Sequence, residues 1–188
     1  MDVFSHGLWA GAGAKAVNLK KKKPLRLWLA MAWGFFPDVF AFALSFIYLN
    51  YFRITSGGTP FAIRPGEIEP PIGQQPFILR LTHYLYDASH SSLVFLVIFG
   101  LVAWYFRKPV WELGGWFLHI LMDIPTHSFA FFPTPFLWPP SDFMVNGTRW
   151  GTRAFMLTNY SLLAFAYGLI WLIGRAKKRK EKKVWTKK

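Results

Sequence analysis

Three residues able to bind an ion or move a proton recur at steps of four in residues 116–128, WFLHILMDIPTHS: His119, Asp123 and His127. Four-residue steps keep side chains on one slowly drifting helix face, and each step climbs about 6 Å. His119 and Asp123 can therefore share one ion, while His127 lies about 12 Å from His119 along a straight helix. Pro125 predicts a bend between Asp123 and His127. In a water-soluble protein, satisfied histidines and a capping aspartate explain such a stripe. At bilayer depth each ionisable side chain costs on the order of 3 kcal/mol or more, and three on one face indicate a functional site.

Composition supplies the bilayer. The chain has 188 residues, 53% of them hydrophobic and 20% aromatic, more than a small soluble core uses. It reads as one integral membrane domain. There is no cysteine, so any metal must be held by nitrogen and oxygen. The net charge of +13 is not spread over a surface as nucleic-acid binding requires. Six of the 22 basic residues lie in residues 15–26, two are Arg107 and Lys108, and nine lie in residues 175–188. These clusters flank apolar runs, which sets orientation, makes anionic lipid headgroups their partners and excludes nucleic acid. No protein partner is indicated.

The elements follow from the apolar runs. Residues 1–16 predict a short helix carrying His6, with Gly7, Gly11, Gly13, Ala10, Ala12 and Ala14 allowing close helix approach. Four spans are expected at about residues 27–49, 88–106, 111–131 and 154–174. The fold class is thus an all-α integral membrane protein: a bundle of about four transmembrane helices plus a short N-terminal helix, one domain over residues 1–174. Residues 50–86, rich in proline and glycine, are read as an extracytoplasmic loop, and residues 175–188 as a basic cytoplasmic tail. Asp38 follows Pro37 near the middle of the first span and has no lysine or arginine at its depth. Asp87 and His90 open the second span, where a helix cap is the alternative role for Asp87.

With every basic cluster on the cytoplasmic side of an inner membrane, depth brings the unusual residues together. His6 and His90 fall near outer helix ends, His127 likewise, His119 deeper and Asp38 near the middle. Buried carboxylates require a cation, and a divalent metal among helices is the economical solution. The expected ligands are His6, Asp38, His90, His119 and Asp123, some of them one step removed from the ion, with His127 as a further candidate. Zinc suits such a donor set. Asp123 or Asp87, whichever does not bind the ion, is expected to be the general base. Arg149 and Arg153 are weaker candidates for holding a substrate phosphate, since interfacial anchoring explains them as well.

These motifs resemble those of the bacterial membrane-bound metal-dependent hydrolase family, whose histidine and aspartate motifs are similar to those of zinc-dependent phospholipases. MDVFSHGLWAGAGA resembles the family opening and carries over His6; GFFPDVF carries over Asp38. SHSSL carries over His90, and LHILMDIPTH with the later FLWP carries over His119 and Asp123. Phe40 stands where members often have a second aspartate, and His83 is offset from a second family histidine.

The resemblance and the residues together imply hydrolysis of a lipid ester or phosphoester by metal-activated water, the ion lowering the water pKa from about 15.7 to about 7. Three alternatives use the same residues. A membrane phosphatase with a histidine nucleophile fits ASH and HILMD but lacks the expected serine-arginine pair. A metal-ion or proton permeation protein would stage ligands toward both faces, whereas the cytoplasmic half of each span is apolar. A non-catalytic membrane protein with a structural metal differs only in lacking an open coordination position.

Overall fold

The computed structural model describes residues 1–58 and 72–185, with side chains omitted at Ile72 and at residues 181–185. Among these residues the chain is helical and forms no strand beyond the isolated bridge of Ser128 with Phe131.

Helix α1, Val3–Asn18, begins where Asp2 accepts a hydrogen bond from Ser5 N at 3.0 Å, satisfying a donor of the first turn. Its far end is tied down by the Asn18 side chain, which bonds both Leu25 N (2.7 Å) and Leu25 O (3.0 Å) across the lysine turn. Helix α2, Leu27–Ser56, runs through Pro37 and stops at Gly57, whose φ of 68° needs a residue without a Cβ. At 30 residues it is about 45 Å long.

Helix α3, Phe77–Ser89, and α4, Ser92–Tyr105, meet at a bend of 64°. Ser91 creates the break by capping α4, its Oγ accepting from Leu93 N and Val94 N at 3.2 Å. Helix α5, Gly114–Thr126, and α6, Arg153–Trp185, complete the chain.

Several expectations change here. The loop expected at residues 50–86 is helical at both ends: α2 continues to Ser56, and α3 occupies Phe77–Ser89. The latter has a helical period, burying Leu79, Thr82, Tyr86 and Ser89 on one face. The rest of that expected loop, residues 59–71, lies outside the described residues. Asp87 is not a cap, since it falls in the last turn of α3 and Ser91 caps the following helix. Pro125 ends α5 rather than bending it, because the helix stops one residue later. The basic tail continues α6 as helix to Trp185.

Among the described residues two helices, α2 and α6, are long and apolar enough to cross a membrane, or three if the bent α3–α4 pair forms one span. Helices α1 and α5, with 16 and 13 residues, extend about 24 and 20 Å, short of a 30 Å hydrocarbon core.

Small residues let the short helices in. A Cβ on Gly115 would lie 2.2 Å from Ala30 O, and one on Gly34 would lie 2.7 Å from Ala10 Cβ. Helices α1, α2 and α5 thus touch through backbone, as the alanines and glycines of α1 predict. Beside this crossing, Trp116, Ile120, Leu113 and Phe95 form an apolar cluster, while Tyr86, Ala41 and Phe132 form another. Helix α6 is held to α1 by Asn159, which donates to Ser5 Oγ (2.7 Å) and accepts from Trp9 Nε1 (2.9 Å).

The basic clusters meet at one end. Lys177 Nζ donates to Leu19 O at 2.6 Å, Lys21 sits over the Trp111 ring, and Arg26 pairs with Glu112 at 3.3 Å. Partial burial pushes the Glu112 carboxyl up, but hydrogen bonds from its own backbone and from Arg26 outweigh this and hold it below its ordinary range.

Candidate metal centre

His119, on the buried face of α5, lies with Nδ1 2.8 Å from Gly34 O. A carbonyl only accepts, so Nδ1 carries the hydrogen and Nε2 presents its lone pair. Pro37, within α2, lacks the N–H that would bond Trp33 O, the carbonyl next to that of Gly34. His90, at the α3–α4 bend, repeats the arrangement: its Nδ1 lies 3.1 Å from Tyr86 O and 3.0 Å from Ser89 Oγ. The two Nε2 atoms then face each other at 3.0 Å. Two imidazole lone pairs held at that distance require a cation or a proton between them.

Two carboxylates complete the set. Asp123 Oδ2 lies 3.1 Å from His119 Nε2 and 3.5 Å from His90 Nε2. Asp38 Oδ1 lies 3.7 and 3.6 Å from the same nitrogens. One ligand atom from each of these four buried residues falls within 4.8 Å of the others. A tetrahedral ion with bonds of about 2.1 Å separates its ligands by roughly 3.4 Å. The separations of 3.0–3.7 Å among these atoms bracket that value. In addition, Asp38 Oδ2 and His6 Nδ1 are buried without a hydrogen-bond partner. The donors therefore fit a divalent metal.

Asp123 has a second neighbourhood. Its Oδ1 lies 3.0 Å from His6 Nε2, 3.3 Å from His127 Nε2 and 2.6 Å from the Met1 nitrogen. The His6 ring also stacks on His119, with centroids 3.6 Å apart. His127 is fixed by Nδ1, 2.7 Å from Phe132 O. Ending α5 at Thr126 is what allows this, because His127 turns into an extended conformation instead of climbing another turn away. Of the six candidate ligands, Asp38, His90, His119 and Asp123 form the four-residue group, and His6 and His127 back Asp123.

The remaining candidates lie elsewhere. Asp87, half-buried on α3, lines a cavity with Arg149 and is separated from the group by Tyr86, whose ring stacks on His90 at 3.8 Å. Arg153 lines a different pocket, with Leu157 and Tyr160 of α6, so the two arginines do not share one.

Three positioning groups escaped the sequence reading. Trp116 Nε1 donates to Ser89 O at 2.6 Å and anchors the bend carrying His90. Tyr86 OH donates to Phe132 O at 2.8 Å, the same carbonyl that fixes His127. The Gly34 carbonyl orients His119. Only the spacing of Tyr86 and Trp116, four and three residues before a candidate histidine, hinted at the first two. No protein-family model, curated protein or solved structure matches the chain.

Proposed function

We propose that this protein is a membrane-embedded, metal-dependent hydrolase acting on a lipid ester or phosphoester, with zinc as its ion. The observation that carries the reading is the set of four buried ligand atoms within 4.8 Å of one another, drawn from α2, the α3–α4 bend and α5. The resemblance of the four motifs to the membrane-bound metal-dependent hydrolases agrees with it. In this reading the basic end lies on the cytoplasmic side of the inner membrane, and the ion site is nearer the opposite face. The bent pair and α5, with its following segment, serve as the second and third crossings.

The chain's residues divide the work. Asp38, His90, His119 and Asp123 bind the ion, which supplies Lewis acidity and a nucleophile ionised near neutral pH. His6 and His127 hold the other oxygen of Asp123 in place. Carbonyls of Gly34, Tyr86 and Phe132 fix the imidazole tautomers, so the histidines face the centre before substrate arrives.

One observation favours a second reading. His90, His119 and Asp123 have no solvent exposure, as suits an ion that only staples helices together. The test is metal content and lipid hydrolysis of the detergent-purified protein beside His119→Ala and Asp38→Asn. The expected result is near-stoichiometric metal that both variants lose, together with turnover of a lipid ester or phosphoester. Metal without turnover of any such substrate supports the staple, and a folded wild type that takes up no metal overturns both readings.

A further inference from the structure

Two cavities lie side by side next to the ion site and share the wall formed by His83, Phe131 and Phe132. The smaller, about 140 Å³, lies between α2 and α3 and is lined by Phe42, Phe46, Leu49 and Leu79. Its two hydroxyls are already used. Thr82 donates to Ile78 O at 3.1 Å, and Ser45 bonds to Thr82. What remains is an apolar slot, with exposed Phe46 on the lateral face of a membrane-length helix.

The larger cavity, about 660 Å³, is charged on two sides. Arg149 lines it, as does Asp87, whose carboxylate also interacts with His83, His90 and Asp142. Its inner wall includes Tyr86, the ring stacked on His90. A group held here is one aromatic ring from the ion site.

We propose that the two cavities form one site for a phospholipid with a primary ammonium in its head group: phosphate at Arg149, ammonium at Asp87, and part of one acyl chain in the slot. As the identity of the substrate this rests on the hydrolytic reading above; as a binding site it stands alone. Charge selects the head group. A glycerol head satisfies Arg149 through its phosphate but leaves the carboxylate of half-buried Asp87 without a counter-charge, and a quaternary ammonium offers Asp87 no N–H to accept. Size selects the chain contact. An apolar cavity of about 150 Å³ holds one benzene-sized group, so the slot takes a short stretch of chain and leaves the rest in the bilayer.

The test measures lipids retained by the intact purified chain after exchange into vesicles of phosphatidylethanolamine, phosphatidylglycerol or phosphatidylcholine, read by mass spectrometry with metal content measured in parallel. Wild type is expected to retain the ethanolamine lipid about tenfold over the other two, the size of one charge-assisted contact. Asp87→Asn removes that preference, Arg149→Ala weakens retention of all three, and Leu49→Trp fills the slot and lowers retention of long-chain lipid. Equal retention of the three lipids by wild type overturns the proposal, as does selectivity unchanged in both charge variants. Wild-type selectivity decides the matter if a variant does not fold. Ethanolamine selectivity without metal or turnover leaves this site standing and removes the hydrolytic reading. Metal and turnover without head-group selectivity do the reverse.

Discussion

The histidines of the cluster are oriented by backbone carbonyls, which a sequence does not display. His119 leans on Gly34 O, His127 on Phe132 O and His90 on Tyr86 O, so each Nε2 is aimed by a different segment of chain. Trp116 adds a support for His90 through its bond to Ser89 O. Trp116→Phe keeps most of the apolar volume but leaves that buried carbonyl unpaired, at a cost of about 1–3 kcal/mol. It should also lower metal affinity about 10- to 100-fold, as losing outer support for a ligand does. Thermal unfolding and a competitive chelator titration measure the two effects. An unchanged affinity would mean that the bend holds His90 without the indole.

Short helices reach the centre because glycines permit it. Gly115 is the tightest point, where α5 crosses the backbone of α2 at Ala30. Gly115→Ala forces these helices apart and should destabilise by about 1–3 kcal/mol. The same movement strains the Gly34–His119 contact, so metal content should fall with it. Gly114 is the control, since an added Cβ there meets nothing within 4 Å. Gly114→Ala should stay within about 0.5 kcal/mol of wild type and keep its metal. Equal effects of the two substitutions would refute the close-approach explanation. The α3–α4 bend is the other device at this level: Ser91 ends one helix and starts the next, turning His90 into the bundle. A straight helix over residues 88–106 would have carried His90 past the site.

Across the whole molecule, charge and depth are separated. The lysine turn, the Trp111 segment and the start of the α6 tail touch one another at one end. Asp38 lies 11 residues into α2 from Leu27, about 17 Å along the helix from the basic end. If that end faces the cytoplasm, a reporter active only outside the cytoplasm should be active when inserted at Gly57 or Gly58 and silent at the C-terminus. The reverse pattern would invert the orientation and move the lipid site to the other leaflet.

Helical class, apolar runs, basic flanks and the identity of the charged residues were legible in the sequence because they depend on composition and on periods of three to four residues. Asp38, His90, His119 and Asp123 stood out for the same reason, each being costly in an apolar setting. Other features depended on tertiary contacts. Whether His127 turns back to Asp123, whether Asp87 borders the ion or a neighbouring cavity, and whether residues 77–89 form helix or loop are decided by contacts with Phe132, Tyr86 and α2. The packing of α3 on α2 joins segments tens of residues apart, while the turn at His127 and the stacking of Tyr86 on His90 break the helical period within a few residues, and regular periodicity carries no information about either.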